Sequence, residues 1–438
     1  MQWDTHLRRA TAFAGSLTTV RPHPHFSGWR MLGVSSAGML LAQIAQSSGI
    51  AVFVDPMIGE FGWSRSVISL AYTISTLVSA AVLLLAGRVL DRRGHRQVML
   101  WATIVFAISL VAMGAINGVI ALMVVMIVMR VSGGSILPLA SRTLVALWFS
   151  RRRGRAISIV NVGKMFGVAL LPLGDTLLVE SIGWRAAWRV NAILVVVVMI
   201  PLALWFVHSR PEHVGQFPDG VRPEQLPAAD GTRRSVQEIS WTLRQASRNR
   251  AFWLLLSASL VPALVTNGIA FNQISILSHR GLTSTQAAMT FTVESVIALP
   301  VTILAGWVAD RYGPRHVLIA GNSLLLVSTL WLGITNTLTM ALIYAAMRAI
   351  TSGTWVLGIE AAFPLYFGRA HLGSLSSVNF CVTFIGAAIG PLPLAFAYDS
   401  FGRYDIAIWS LAVLPAISTV TALLAFPPRS GPTPISWT

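Results

Sequence analysis

Residues 87–96 read GRVLDRRGHR, and residues 306–315 read GWVADRYGPR. Both segments interrupt long apolar runs. Gly87 suits a close helix approach and Gly94 a tight turn. Asp91 suits the positive N-terminal end of a following helix, and Arg92, Arg93 and Arg96 resist transfer across a membrane. The second copy keeps Gly306, Asp310, Arg311, Gly313 and Arg315, each 219 residues after its counterpart. SSGIA at 47–51 pairs with TNGIA at 266–270, and Gly62 with Gly281, at the same offset. Arg130 and Arg348 differ by 218, as do Trp148-Phe149 and Tyr366-Phe367. Matches at a nearly constant offset predict a duplicated chain with two parallel halves and a site between them near the midplane.

The composition says what each half is made of. The chain is 55% hydrophobic and 11% charged, about half the charge of a soluble domain, with a mean hydropathy of +0.69. Apolar runs between Met31 and Pro427 are long enough to cross a hydrocarbon layer of ~30 Å. They are continuous rather than alternating, which predicts helices and not a barrel. The spans fall at 30–54, 65–86, 96–116, 119–147, 156–180 and 185–207, then 251–277, 284–306, 315–335, 338–366, 372–398 and 404–426. The expected fold is therefore an all-α integral membrane protein with twelve transmembrane helices in two six-helix pseudo-symmetric bundles. In chain order it has a tail (1–28), a bundle (29–207), a linker (208–250), a second bundle (251–427) and a second tail (428–438). The end of the linker, RRSVQEISWTLRQASRNR, reads as a solvated connector or an amphipathic helix along the inner surface.

With arginines at span ends counted with the adjoining loops, 23 of the 31 arginines fall on one side of these spans, five on the other, and three deeper within spans. The positive-inside rule therefore places both termini in the cytoplasm, and it accounts for the net charge of +16 without nucleic acid. Cys381, the only cysteine, excludes a disulfide framework or a cysteine metal site. The N-terminal stretch is too short and polar for a cleaved signal.

The two loop copies resemble the GxLxDRxGxR signature of the major facilitator superfamily, and the resemblance covers nearly the whole chain. EFGWSRSVISLAY (60–72), WFSRRRGRAISI (148–159), GWRAAWRV (183–190), SRPEHVGQFPDG (209–220) and YFGRAHLGSLSS (366–377) are similar to its monocarboxylate transporter and oxalate–formate antiporter branch. The resemblance implies carriage of small organic anions, with a proton or in exchange. It also implies gating roles for Gly87, Asp91, Arg92, Gly94, Arg96, Gly306, Asp310, Arg311 and Gly313. The chain departs from that branch in its charges. Span 1 has Gln43 and Gln46 but no lysine, span 8 has Glu294 with no arginine four residues later, and span 11 has no lysine.

Lys164, the sole lysine, lies eight residues into span 5, ~12 Å deep at the rise of an α-helix. Arg130, Arg348 and Glu294 lie at comparable depth. Each such charge costs about 2.5–3.5 kcal/mol at the bilayer centre, so all four are expected to face a wet cavity or one another. In the fold the family implies, spans 1, 4, 7 and 10 line the cavity and span 5 lies against span 8. Lys164 is then expected to meet Glu294 and to bind the substrate carboxylate, with Glu294 carrying the coupling proton, since a carboxyl withdrawn from water holds a proton more readily. The alternatives for Lys164 are a structural partner of Glu294 or a snorkelling side chain. Arg130 and Arg348 divide between substrate contact and helix–helix bonding. Gln43, Asn161, Asn267, Asn272, Gln273, Tyr344 and Asn379 are candidates for the cavity wall or for helix–helix hydrogen bonds. Asp175, Glu360 and Arg142 read as interfacial or structural. Ser64 and Thr283 read as N-caps.

Catalysis is not expected, since the spans hold no nucleophile with a base and no metal cluster. An ATP-driven pump is disfavoured because the only Gly-Lys pair, Gly163-Lys164, has Ser158 and Met165 where a phosphate loop needs glycine and Ser or Thr. A receptor on the same scaffold would show binding without flux. The expected protein is a monomeric carrier of the bacterial inner membrane for a small carboxylate, proton-coupled, with no cofactor. The alternatives are an exchanger without a proton step and a proton-coupled exporter of amphiphilic compounds.

Overall fold

The computed structural model describes residues 26–149, 152–220, 241–368 and 371–428. Among these, twelve helices are long and apolar enough to cross a membrane. The first half holds α1 (Gly28–Phe61), α2 (Arg65–Arg93), α3 (His95–Met113), α4 (Val119–Trp148), α5 (Arg153–Ile182) and α6 (Trp184–Trp205). The second holds α7 (Arg250–Ser278), α8 (Ser284–Tyr312), α9 (Pro314–Ile334), α10 (Leu338–Phe367), α11 (Ser374–Phe401) and α12 (Asp405–Leu424).

The helix ends follow local chemistry. Ser64 accepts from the Val67 amide, and Thr283 forms a capping box with Gln286, so both act as the expected N-caps. The α2–α3 segment is helical as far as Arg93, beyond the end at 86 expected from hydropathy. An apolar run ends where the helix leaves lipid, whereas backbone bonding continues to the next residue that cannot sustain it. That residue is Gly94, which has φ +79° and both ends α2 and starts α3; Gly313 repeats the device at +89°. The expected close approach at Gly87 is not found. A Cβ there would meet nothing within 4 Å, so this glycine lies on an open face.

Two spans of the first half depart from a regular helix. α1 tightens into a 3-10 turn at Ala42–Ala45, extends at Gln46 and restarts at Ser47. Gly49 sits against this break, where a Cβ would lie 2.4 Å from the Gln43 carbonyl. α4 widens into a π-turn at Arg130–Ile136. Of the end of the linker, the described residues 241–250 hold a single helical turn, Leu243–Ala246, and residues 233–240 of the segment read as a connector or amphipathic helix lie outside the described part. Residues 221–240, most of both tails, and the side chains of Asp91 and Asp310 lie outside the described part.

The halves meet on the side of the α1–α2, α7–α8 and α11–α12 turns. There Thr73 donates to the Ala388 carbonyl (2.7 Å), Thr285 to Glu180 (3.0 Å), and Ser47 to Asn267 (3.2 Å). One buried apolar core takes in the first half over its full height, as far as Phe26 and Trp148, and joins the second half at this level. On the opposite, arginine-rich side, α7, α10 and their neighbours close a separate core around Phe252, Phe363 and Phe367. A cleft between the halves therefore opens toward the arginine-rich side.

Candidate functional site

Lys164 stands in this cleft. The lipid face of α5 is marked by exposed Ile159, Phe166, Leu170 and Leu177. Gly163 and Gly167 mark the face against α1, where added Cβ atoms would lie 2.4 Å from the carbonyls of Ser36 and Leu40. At about 100° per residue, Lys164 is turned roughly 160° from Phe166, on the side away from lipid. It is exposed, it has no hydrogen bond or ion pair with a described residue, and it feels the charges of Arg142 and Glu294. Asn161, one turn earlier, is half-buried beside it.

The expected Lys164–Glu294 contact is not made. Glu294 approaches Arg348 instead, 3.6 Å from carboxylate to guanidinium, and Lys164 acts on it only at longer range. Both partners lie in the second half, so α8 meets α10 before it reaches across to α5. Arg348 is buried, its Nε and Nη1 have no hydrogen-bond partner, and its Nη2 reaches the Thr266 carbonyl at 3.5 Å. The Tyr344 hydroxyl, on the preceding turn, is buried and unbonded as well.

Arg130 is engaged differently. Its Nη1 donates to the Ala45 carbonyl (2.7 Å) and to Gln46 (2.9 Å), and the guanidinium lies 4.8 Å from the Tyr72 ring centroid. Gln46 in turn donates to the Gly134 carbonyl (3.0 Å). Arg130 thus ties the break in α1 to the π-turn of α4.

Several other candidates are engaged in hydrogen bonds, and Asn272, Gln273 and Asn379 each leave a side-chain oxygen unbonded. Gln43 is buried and donates to the Met39 carbonyl. Asn272 is buried and donates to the Gly268 carbonyl, and Gln273 to Thr290. Asn267 joins the two halves through Ser47, while Asn379 leaves its side-chain oxygen unbonded. Asp175, read as interfacial or structural, is buried and accepts from Asn191 (2.8 Å), the structural alternative. Arg142 and Glu360, read as interfacial or structural, are both exposed and feel each other's charge from opposite halves. Of the loop residues, Arg96 donates to the Leu204 carbonyl (2.7 Å), Arg92 is exposed, and Arg311 lies over Trp307.

Sequence reasoning missed the lock that closes the far end of the cleft. Asp55 pairs with Arg65 (2.7 Å), and Ser275 from the other half donates to Asp55 and accepts from Arg65. Asp399 accepts from the backbone amides of Arg65 (3.0 Å) and Ser66 (2.8 Å), so a carboxylate of the second half caps the first turn of α2. Tyr398 and Tyr404 stack on the Arg65 guanidinium. Burial raises the Tyr404 phenol above its ordinary range, so it faces the arginine as a neutral ring. Asp55, Arg65 and Asp399 each look like ordinary charges at span ends, and their one signal is that they share the arginine-poor side.

A twelve-span, duplicated scaffold with one end closed and a charged cleft at the other is a transporter fold. The Major Facilitator Superfamily model matches residues 35–278 and 263–436, and the chain belongs to that family. It is similar to the membrane sensor protein UhpC of Escherichia coli (strain K12), 24% identical over 85% of each chain. It is similar to the gallate transporter of Pseudomonas putida as well, 23% identical over 85% of this chain and 86% of the other. A solved bacterial homologue of the human lysosomal transporter Spinster, in an inward-facing, unoccupied conformation, superposes with a TM-score of 0.71. It is 16% identical, over 92% of this chain and 97% of that one. The protein is a multi-pass membrane transporter of this superfamily and not an enzyme.

Proposed function

We propose that the protein carries small organic anions by alternating access, with Lys164 as the first anion ligand and a proton carried on Glu294. One observation carries this reading: an ammonium group without a counter-ion among the described residues lies deep in the cleft between the halves. Such a charge costs about 2.5–3.5 kcal/mol at membrane depth, and a negatively charged substrate would offset that cost. With the arginine-rich side in the cytoplasm, as the charge bias predicts, the cleft faces inward and the Arg65–Asp55–Asp399 lock holds the outer end shut. Outward opening then requires that lock to part.

The proton step works through Arg348 rather than through Lys164 directly. Ionised Glu294 holds Arg348; protonated, it leaves Arg348 and Lys164 as uncompensated cations and strengthens the pull on an incoming anion. A single lysine suits this role because a compact ammonium releases its partner more readily than a bidentate guanidinium. Exchange without a proton step is the second reading, favoured by the Glu294–Arg348 pair itself, which neutralises the carboxylate within one half. The gallate transporter among the relatives agrees with an acid as cargo; a sensor role, as the name UhpC carries, would give binding without flux.

The test is uptake of labelled organic acids into proteoliposomes under an imposed pH gradient. Lys164→Ala is expected to abolish saturable uptake, and wild-type affinity and rate in that variant would overturn the binding role. Glu294→Gln is expected to remove the response to the gradient while exchange of internal for external acid survives. A response as steep as the wild type's would move the proton elsewhere.

A further inference from the structure

We propose that Arg142 is a second anion ligand and that, with Lys164, it selects small organic dianions, either dicarboxylates or phosphate monoesters whose two charges lie on separate oxygens. The inference rests on the reading that the cleft binds anions, and it names the class.

The geometry begins with the π-turn. Arg130 and Arg142 lie twelve residues apart on α4, and in a regular α-helix that spacing turns the second side chain about 120° from the first. A π-turn takes up an extra residue and rotates the rest of the helix back by about 100°. The turn at Arg130–Ile136 therefore brings Arg142 onto nearly the same face as Arg130, away from the lipid face marked by exposed Val124 and Val128 in the outer part of α4. Arg142 is exposed there, with no hydrogen bond or ion pair to a described residue; its neighbour Ser141 packs on Gly38 and the neighbour of Lys164, Gly163, packs on Ser36, so α4 and α5 present the two cations at the same level of α1, where their charges oppose each other.

Two unpaired cations from α4 and α5 on one cleft wall make an unfavourable arrangement in an empty site. A single carboxylate neutralises one of them; a dianion spanning both removes the repulsion and makes charge-assisted bonds at each end. Across the cleft, Glu360 occupies the position related to Arg142 by the 218-residue repeat, with the opposite charge. It feels Arg142 yet does not reach it as an ion pair. Glu360 thus competes with the second acidic group of the substrate for Arg142. A neutral residue at this position strengthens dianion binding.

The experiment measures KM and Vmax in proteoliposomes for a four-carbon dicarboxylate, a four-carbon monocarboxylate and a three-carbon phosphate monoester. Arms with wild type, Arg142→Gln, Arg142→Lys and Glu360→Gln are compared. Wild type is expected to take one of the two dianions with a KM at least about tenfold below that of the monoanion, the size of a charged hydrogen bond. Whether the dicarboxylate or the phosphate ester wins identifies the second group. Arg142→Gln is expected to raise the dianion KM about tenfold or more while the monoanion KM changes less than about twofold. Arg142→Lys should restore part of the difference, and Glu360→Gln should lower the dianion KM. If Arg142→Gln changes Vmax for all three compounds alike, Arg142 serves only cleft closure and the inference is wrong. If wild type prefers the monoanion, the inference falls while the anion-carrier reading stands. If none of a broad panel of organic acids is carried, the reading itself falls, and the inference with it.

Discussion

Arg130 and Arg348 occupy the same position in the two halves, 218 residues apart, and do opposite things with it. Arg130 finds carbonyl and amide oxygens at the break in α1, and α4 opens a π-turn around it. Arg348 faces α7, which runs unbroken from Arg250 to Ser278 and offers it only one carbonyl, at 3.5 Å. A continuous helix keeps its carbonyls for its own amides, so Arg348 turns to Glu294 and leaves two of its nitrogens unbonded. The duplicated arginine thus became a structural tie in one half and half of a titratable pair in the other. Whether the neighbouring helix is broken decides which.

The largest effect expected from this difference is in the second half. Arg348→Ala leaves the Glu294 side chain, only 12% exposed, without its partner, a loss of up to about 3–5 kcal/mol, the figure for a fully buried pair. Thermal unfolding of the detergent-purified protein should show it, and Arg348→Ala with Glu294→Gln should recover most of the loss. Failure of the double variant to recover would mean that Arg348 supports the fold through other contacts. In the first half, Arg130→Ala strips charge-assisted bonds from the α1 break and is expected to cost about 1.5–3 kcal/mol. Here Glu294→Gln should give no recovery, which separates the two arginines in one set of melts. Next comes Asp399→Asn at the lock on the arginine-poor side. It weakens the carboxylate cap on α2 by about 1 kcal/mol and should increase reactivity of a cysteine placed at Ser275 from the arginine-poor side. Lys164→Ala closes the series, with less than about 0.5 kcal/mol expected because the amine is exposed and unpaired. A large drop in stability there would show that Lys164 holds the halves together instead of waiting for substrate.

Much of the architecture is legible along the chain alone. GRVLDRRGHR and its copy reveal the duplication, and Gly94 and Gly313 are the turns they suggest. Ser64 and Thr283 cap where their residue types say they should. Lys164 is legible as a charge at membrane depth that needs a wet surface. The break at Gln46 and the π-turn at Arg130 leave no comparable signal, because each depends on what lies opposite. Gln46 and Gly134 bond to one another across 88 residues. The Asp399 cap on α2 spans 334 residues and is invisible for the same reason.

The chain by itself determined how many times it crosses the bilayer, that it does so as two copies of one plan, and which side carries its arginines. Those properties come from run length, repeat spacing and charge count, and each is read along the chain. Tertiary structure decided which charges meet: Glu294 with Arg348 and not Lys164, and Arg130 with α1. The physical reason is phase. A one-residue change in a helical turn rotates everything beyond it by about 100°. That is enough to move a side chain from lipid to water without altering the apolar pattern that made the helix.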